Sequence, residues 1–280
     1  MVQDYSKFSK ARKEKKQKGR KEYVELLESI INSSDIVLEI LDVRFVEEMR
    51  NKEIENKIFE KGKKIIYVLN KSDLANEKTV QKNLNLLRPS IAISCKDRKN
   101  SGKLRNFIKQ EAKKVENPVD RGRVTVGVIG YPNAGKSSII NLLIGRGSAG
   151  TSPTAGFTTS IQKLRLSGGI VLLDSPGVIP QEHYSSQEAE KISRHAKLGG
   201  RHYSNVKDPD MVVHLIMKEH PGILEEFYNT EARGDVEVLL EKLGRQKGFM
   251  KSSKGGGGEV DEDRTAREIL KDWQMGEIRV

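Results

Sequence analysis

Between residues 36 and 174 the chain alternates short β-branched runs with polar tips and stretches of helical spacing. The runs are IVLEILDV (36–43), KIIYVL (64–69), SIAIS (90–94), VTVGVIG (124–130), IQKLRL (161–166) and GIVLLD (169–174). This alternation specifies an α/β fold, a doubly wound and mostly parallel six-stranded sheet with helices on its faces. Ligands of such sheets gather beyond the carboxyl ends of the strands. The tips are therefore where chemistry is sought.

The tip after the fourth run reads GYPNAGKS, Gly130 to Ser137, and leads into the helical stretch SSIINLLI. Its glycines let the backbone curl so that successive amides, through Ala134, Gly135 and Ser138, face phosphate oxygens. Lys136 supplies charge to the β and γ phosphates and Ser137 a hydroxyl to Mg²⁺. The tip after the sixth run is Asp174-Ser175-Pro176-Gly177. There a carboxylate can hold the metal through water and the Gly177 amide can meet a γ-phosphate. Between the two tips, GTSPTAGFTTS (150–160) offers a threonine to complete the Mg²⁺ shell, with Thr158 favoured over Thr159. Lys136, Thr158 and Gly177 are the catalytic candidates, and Ser137, Thr158 and Asp174 the Mg²⁺ ligands.

The two early tips suit a base. In Asn70-Lys71-Ser72-Asp73 a carboxylate can accept from the N1 and N2 donors of guanine, whereas adenine offers an acceptor at that edge and leaves Asp73 unpaired. At Ser94-Cys95-Lys96 a backbone amide can meet the guanine O6, with Lys96 or Lys71 covering the ring. NKSD and SCK are weak signals alone, and their placement on consecutive strand ends is what joins them. The elements thus run base, base, phosphate, switch, switch, the reverse of the usual order. They form one site only if an ordinary domain was cut after the second switch and its old ends joined, which a fold with neighbouring termini permits.

These motifs resemble the circularly permuted GTPases, and within them the YlqF/RbgA-like group on its archaeal and eukaryotic branch. LDVR (41–44) is similar to that group's segment after its first strand and PTAGFTTS to its switch. DPDMVVHLI, LGRQKGF and GGGGEVDEDRTAREILKDWQMG look like its small helical C-terminal domain. No stretch resembles the oligonucleotide-binding barrel of a related permuted group. The resemblance implies a GTPase domain over 22–180, a helical domain over 181–280 that contacts RNA or the ribosome, and a timer role in ribosome assembly. GTP or GDP, Mg²⁺ and K⁺ are the implied cofactors, with Asn133 at the position where relatives hold potassium. Val178 stands where many GTPases place a water-orienting glutamine. The implied hydrolysis is slow, and stimulated by potassium and a ribosomal partner. Bacterial members carry an early histidine, but here the first is His183, so no catalytic histidine is transferred.

Charge is unevenly spread. Residues 1–21 hold nine Lys or Arg against two acids, and 181–280 hold 16 against 19, within a net charge of +11. So basic and apolar-poor an arm is expected to be disordered when free and to settle on nucleic-acid phosphates, or else to serve as a solvated tail. Lys13, Lys15, Lys16 and Lys18 in the arm, and Arg245, Lys247, Lys251 and Lys254 near the GGGG stretch, are the RNA-contact candidates. Capping signals predict helices after Ser185, Asp208 and Asp235 and over 262–275. In the last, Ala266, Ile269, Leu270 and Trp273 form a stripe better suited to a core than to base stacking.

The lone Cys95 excludes an intramolecular disulfide, and the five histidines lack metal spacing. No run approaches the ~20 apolar residues of a membrane span, and no signal peptide is apparent, so a cytoplasmic monomer without membrane contact is expected. The reading left beside the ribosomal timer is a GTP-gated general RNA binder whose hydrolysis is incidental.

Overall fold

The computed structural model of the chain describes residues 25–120, 122–145, 162–175, 189–251 and 258–280. The arm, Thr158, Thr159, Gly177, Val178, His183, the capping signal at Ser185 and Lys254 lie outside the described residues.

The six expected runs are the six strands: β1 (Ile36–Asp42), β2 (Lys64–Asn70), β3 (Ser90–Ala92), β4 (Val124–Gly130), β5 (Gln162–Ser167) and β6 (Ile170–Asp174). They make one sheet in the order β3-β2-β1-β4-β6-β5. All neighbours are parallel except β5 and β6, which run antiparallel. β1 is buried at every position, as a strand with helices on both faces must be. β3 stops two residues short of expectation. Ser94 leaves the ladder to bridge Lys99, and its hydroxyl accepts the Asp97 amide at 3.1 Å.

Helices α1 (25–33), α2 (Val46–Met49), α3 (Lys52–Glu60), α4 (Glu77–Leu86), α5 (Ser101–Ala112) and α6 (Lys136–Ile144) connect and cover the strands. Counted from β4 onward, the sheet is that of a chain whose phosphate loop comes first. The segment 113–123 carries α5 across to β4, where an uncut chain would have its two ends. Asp35 pins this link: its carboxylate oxygens accept the Val119 amide at 2.9 Å and the Thr125 amide at 2.7 Å.

After β6 come α7 (Ala189–Lys197), α8 (Pro209–Glu219), α9 (Ile223–Tyr228), α10 (Val236–Lys247) and α11 (Glu262–Met275). Pro209 opens α8, where a missing amide hydrogen costs nothing, and the Asp235 carboxylate caps α10 through the Glu237 and Val238 amides. The α11 stripe is core: Ala266, Ile269, Leu270 and Trp273 are all fully buried. Trp273 packs against Phe45 at 5.8 Å and His220 at 5.3 Å between ring centres, and its Nε1 donates to the Lys197 carbonyl at 3.1 Å. A ring so enclosed cannot stack on a base. Among the described residues no helix is long and apolar enough to cross a membrane.

One buried carboxyl breaks the apolar run of β1. Burial, and then the neighbouring Glu55 charge, push Glu39 up to about 8. The Glu55 carboxylate accepts two Arg50 hydrogen bonds at 2.8 and 2.7 Å and one from the Tyr67 hydroxyl at 3.1 Å. Protonated Glu39 can donate to Glu55, which gives a role to its otherwise unpartnered Oε2. The folded chain therefore keeps a proton that the unfolded chain releases above the ordinary glutamate value of 4.5. Stability then falls as pH rises through the window from 4.5 to about 8 and levels off beyond it. Glu39→Gln keeps the donor and loses the titration. Urea midpoints measured across this window are expected to fall for the wild type and to stay comparatively flat for the variant, and equal slopes would remove the assignment.

Candidate nucleotide site

β4 ends at Gly130 with φ 147°, where a Cβ would collide with the Ile40 carbonyl of the adjacent strand. The loop then curls through two left-handed residues, Asn133 (φ 59°) and Gly135 (φ 97°), into the first turn of α6. A Cβ on Gly135 would collide with the Asn70 amide nitrogen. That nitrogen donates to the Ala134 carbonyl at 2.8 Å. The NKSD tip of β2 and the GYPNAGKS loop after β4 thus touch, although 64 residues separate the bonded pair.

Lys136 is buried, with Nζ donating to the carbonyls of Gly130 at 3.0 Å and Tyr131 at 3.2 Å. Burial pulls its ammonium down to about 8 against the opposing effect of Asp174. Burial raises the Asp174 carboxyl in turn, and Lys136, the Ser175 amide and the Ser137 hydroxyl partly offset it. The Oδ1 of Asp174 is buried without a hydrogen-bond partner. An unpartnered carboxylate oxygen beside a serine hydroxyl is a hard-oxygen pair of the kind that suits Mg²⁺. The expected Mg²⁺ ligands Ser137 and Asp174 are therefore adjacent and fit the ion, while Thr158 lies outside the described residues.

On the base side, Lys71 takes a left-handed conformation (φ 60°) and its Nζ pairs with Asp42 at 2.9 Å. Arg44 grips the same carboxylate with Nε at 3.0 Å and Nη2 at 2.9 Å. Burial alone would raise Asp42, but the Arg44 and Lys71 charges outweigh it and hold the carboxyl far below the usual range. Asp73 sits in a 3-10 turn, Ser72–Leu74. Burial, and then the Asp73 charge, push the Cys95 thiol up to about 11, so this cysteine is an unreactive wall.

A cleft of about 300 Å³ opens over these tips. Asn70, Lys71, Asp73, Cys95 and Lys96 line it from the base side, and Asn133, Gly135 and Ser138 from the phosphate side. Ser94, Ala134, Lys136, Ser137 and Asp174 do not reach its wall. Ser94 is buried under the base loop, and Lys136, Ser137 and Asp174 cluster alongside at the phosphate end.

The remaining wall comes from a place that local sequence patterns could not point to. Arg44 and Leu74, together with Lys197, Leu198, Gly199 and His202 at and beyond the end of α7 and Gln274 and Met275 of α11, complete the cleft. Asn133 Nδ2 donates to the Gly199 carbonyl at 2.6 Å, and the Tyr131 hydroxyl meets His195 Nδ1. Lys197, wholly buried, pairs with Glu48 at 2.9 Å and with Glu219. LDVR (41–44) carried a hint of Asp42 and Arg44. The helical residues gave none, because their nearness is purely tertiary.

The family described as 50S ribosome-binding GTPase matches residues 125–242. A GTP-binding protein of Methanocaldococcus jannaschii is 35% identical over 91% of this chain and 65% of its own length. Nucleolar GTP-binding protein 2 of Saccharomyces cerevisiae is 32% identical over 90% of this chain and 51% of its own length. The chain spans between about 40% and 65% of the curated relatives it matches. Among solved structures, GDP-bound TM YlqF superposes with a TM-score of 0.60 at 20% identity, covering 90% of this chain and 95% of that one. A sheet whose NKSD half precedes its phosphate-loop half, superposing on YlqF, gives the chain the fold of a circularly permuted GTPase, and its sequence is similar to the GTP-binding proteins named above.

Proposed function

We propose that the chain binds GTP in the cleft, hydrolyses it, and uses the nucleotide to time its stay on a pre-ribosomal particle, that of the large subunit. The observation that carries the nucleotide reading is the Asn70 to Ala134 hydrogen bond, which makes one pocket of two motifs in reversed order. Asp73 accepts from the guanine edge, and Lys71, steered by Asp42, lays its stem along the ring. The loop amides from Asn133 to Ser138, at the N-terminus of α6, receive the phosphates. Lys136 is held at the phosphate end in a dry site, where a fixed charge is strongest. Mg²⁺, when bound by Ser137 and Asp174, neutralises charge developing on the phosphate oxygens.

Hydrolysis without a glutamine after Gly177 rests on these charges and on Asn133, the proposed potassium ligand, whose amide is oriented by Gly199. The particle assignment draws on the matched family's description and on relatives named as nucleolar or nuclear GTP-binding proteins.

Two measurements test this reading. Gly135→Ala puts a methyl group against Asn70 and parts the two halves, and is expected to weaken GDP affinity about a hundredfold, ~2.7 kcal/mol, with the fold retained by circular dichroism. Undiminished affinity would separate the two motifs functionally. Co-sedimentation with purified small and large ribosomal subunits, at fixed salt in potassium buffer, compares GDP, a non-hydrolysable GTP analogue and no nucleotide. Analogue-dependent pelleting with the large subunit is expected, with turnover faster in potassium than in sodium. Nucleotide-independent pelleting with both subunits would instead favour a general RNA binder.

A further inference from the structure

The described RNA-contact candidates from the sequence are already paired within the chain. Arg245 bonds Glu241 at 2.6 Å, Lys251 meets Glu259 at 3.3 Å, and Lys247 lies 3.8 Å from Glu268 and 5.3 Å above the Tyr228 ring. Each of these cations has an acid beside it, which lowers the net charge that the patch offers to phosphates. A different surface keeps its charge. Residues 96–114, the loop after β3 and the whole of α5, hold eight Lys or Arg against two acids.

The helix sorts these groups by face. Leu104, Ile108 and Ala112 face the core. Glu111 is buried on the inner side, tied to Lys64 and Lys114. Arg105 turns inward and caps the end of α6 through the carbonyls of Leu142 at 3.2 Å and Leu143 at 2.7 Å. Lys103, Asn106, Lys109, Gln110 and Lys113 remain on the outward side, without a carboxylate among them. At 1.5 Å rise per residue, the lysine row from 103 to 113 is about 15 Å long.

The preceding loop adds exposed Lys96, Arg98 and Lys99, with Asp97 as its one acid. A hollow lined by Lys96, Arg98, Ser138 and Asn141 joins this loop to α6, and it shares Lys96 and Ser138 with the nucleotide cleft. The row of charge therefore runs from the far end of α5 to the rim of the cleft.

We infer that the surface formed by the 96–99 loop and the outer face of α5 docks the phosphate backbone of helical RNA, next to the nucleotide. Cations spaced along a rigid helix, interleaved with amide side chains, suit phosphate and ribose oxygens. The face has no aromatic platform, because Phe107 packs against the core, and this disfavours single strands read by stacking. The identification of that RNA as ribosomal rests on the proposed function, whereas the surface itself does not.

The test uses the full chain and fluorescence anisotropy with an RNA duplex of about 20 base pairs, purified ribosomal RNA and polyuridylate. Lys103→Glu/Lys109→Glu/Lys113→Glu and Arg98→Glu/Lys99→Glu are compared with Arg245→Ala/Lys247→Ala/Lys251→Ala. Fluorescent GDP binding reports the fold and is expected to be unchanged. The α5 variant should lose at least tenfold in duplex affinity, with a log–log salt slope shallower by about 0.9 for each phosphate contact removed. The triple Lys→Arg variant at 103, 109 and 113 should retain binding, and the Arg245 group should change little. Duplex binding unaltered by the α5 and loop reversals overturns the inference, as does a loss seen only with polyuridylate or only with an acidic polypeptide competitor. Duplex binding that depends on α5 but is not accompanied by ribosomal-subunit binding would strike the ribosomal reading alone.

Discussion

The hydrogen bond from Asn70 to the Ala134 carbonyl, 2.8 Å long, is the contact on which the site depends. It spans the tip of β1, since β2 and β4 are its neighbours on either side and do not pair with each other. Register makes the span short. Leu41 and Asp42 lie opposite Leu69 and Asn70, and Ile40 lies opposite Gly130. β1 and β2 thus end level, and β4 ends two positions earlier, so its loop rises past the end of β1 toward Asn70. Two glycines then remove the atoms that would block the approach, Gly130 against the Ile40 carbonyl and Gly135 against Asn70 itself. Because β1 is buried on both faces, a one-residue slip would send every side chain to the opposite face and take Glu39 away from Glu55 and Asn51. Burial therefore holds the register that a cut and rejoined chain has no local connection to enforce.

A second constraint is electrostatic and extends the first into the C-terminal helices. Asp42 is an anion without solvent, and it stays ionised only because Arg44 and Lys71 both bind it. Arg44 uses its remaining nitrogen on the Trp273 carbonyl at 3.3 Å, and the Trp273 indole donates to Lys197. Lys197 is buried between Glu48 and Glu219, one from each part of the chain, with its ammonium also 5.1 Å from the centre of the Phe45 ring. Removing one member of such a set leaves a charge buried without its partner, a loss of about 3–5 kcal/mol where measured in other proteins. The base side of the cleft and the packing of α11 accordingly share the same charged groups.

Much of this was legible in the chain, for reasons that differ by element. The strands could be read because a buried parallel sheet needs unbroken β-branched runs, and all six emerged within a residue or two. The phosphate loop could be read because its glycines answer a steric demand that the structure displays at residues 130 and 135. Trp273 could be read as core because its stripe repeats at helical spacing. Asp42, Arg44 and the helical wall were legible only as a resemblance or not at all, since their roles arise from tertiary neighbours. The acids beside Lys247 and Lys251 were not legible, since Glu268 and Glu259 approach them only on folding, whereas Glu241 precedes Arg245 by one helical turn.

The permutation also accounts for where the helical region stands. In an uncut order the chain would leave the sheet after α5, beside β3 at the sheet's edge and three strands from the phosphate loop. Here it leaves after β6, the immediate neighbour of β4. The first described helix beyond that point, α7, already reaches the phosphate loop, His195 meeting Tyr131 and Gly199 meeting Asn133. Moving the chain ends thus delivers a helical wall to the phosphate loop while leaving every strand pair intact. It also frees the edge beside β3. Among the described residues the lysine face of that helix is exposed, and the loop that precedes it reaches the same cleft through Lys96.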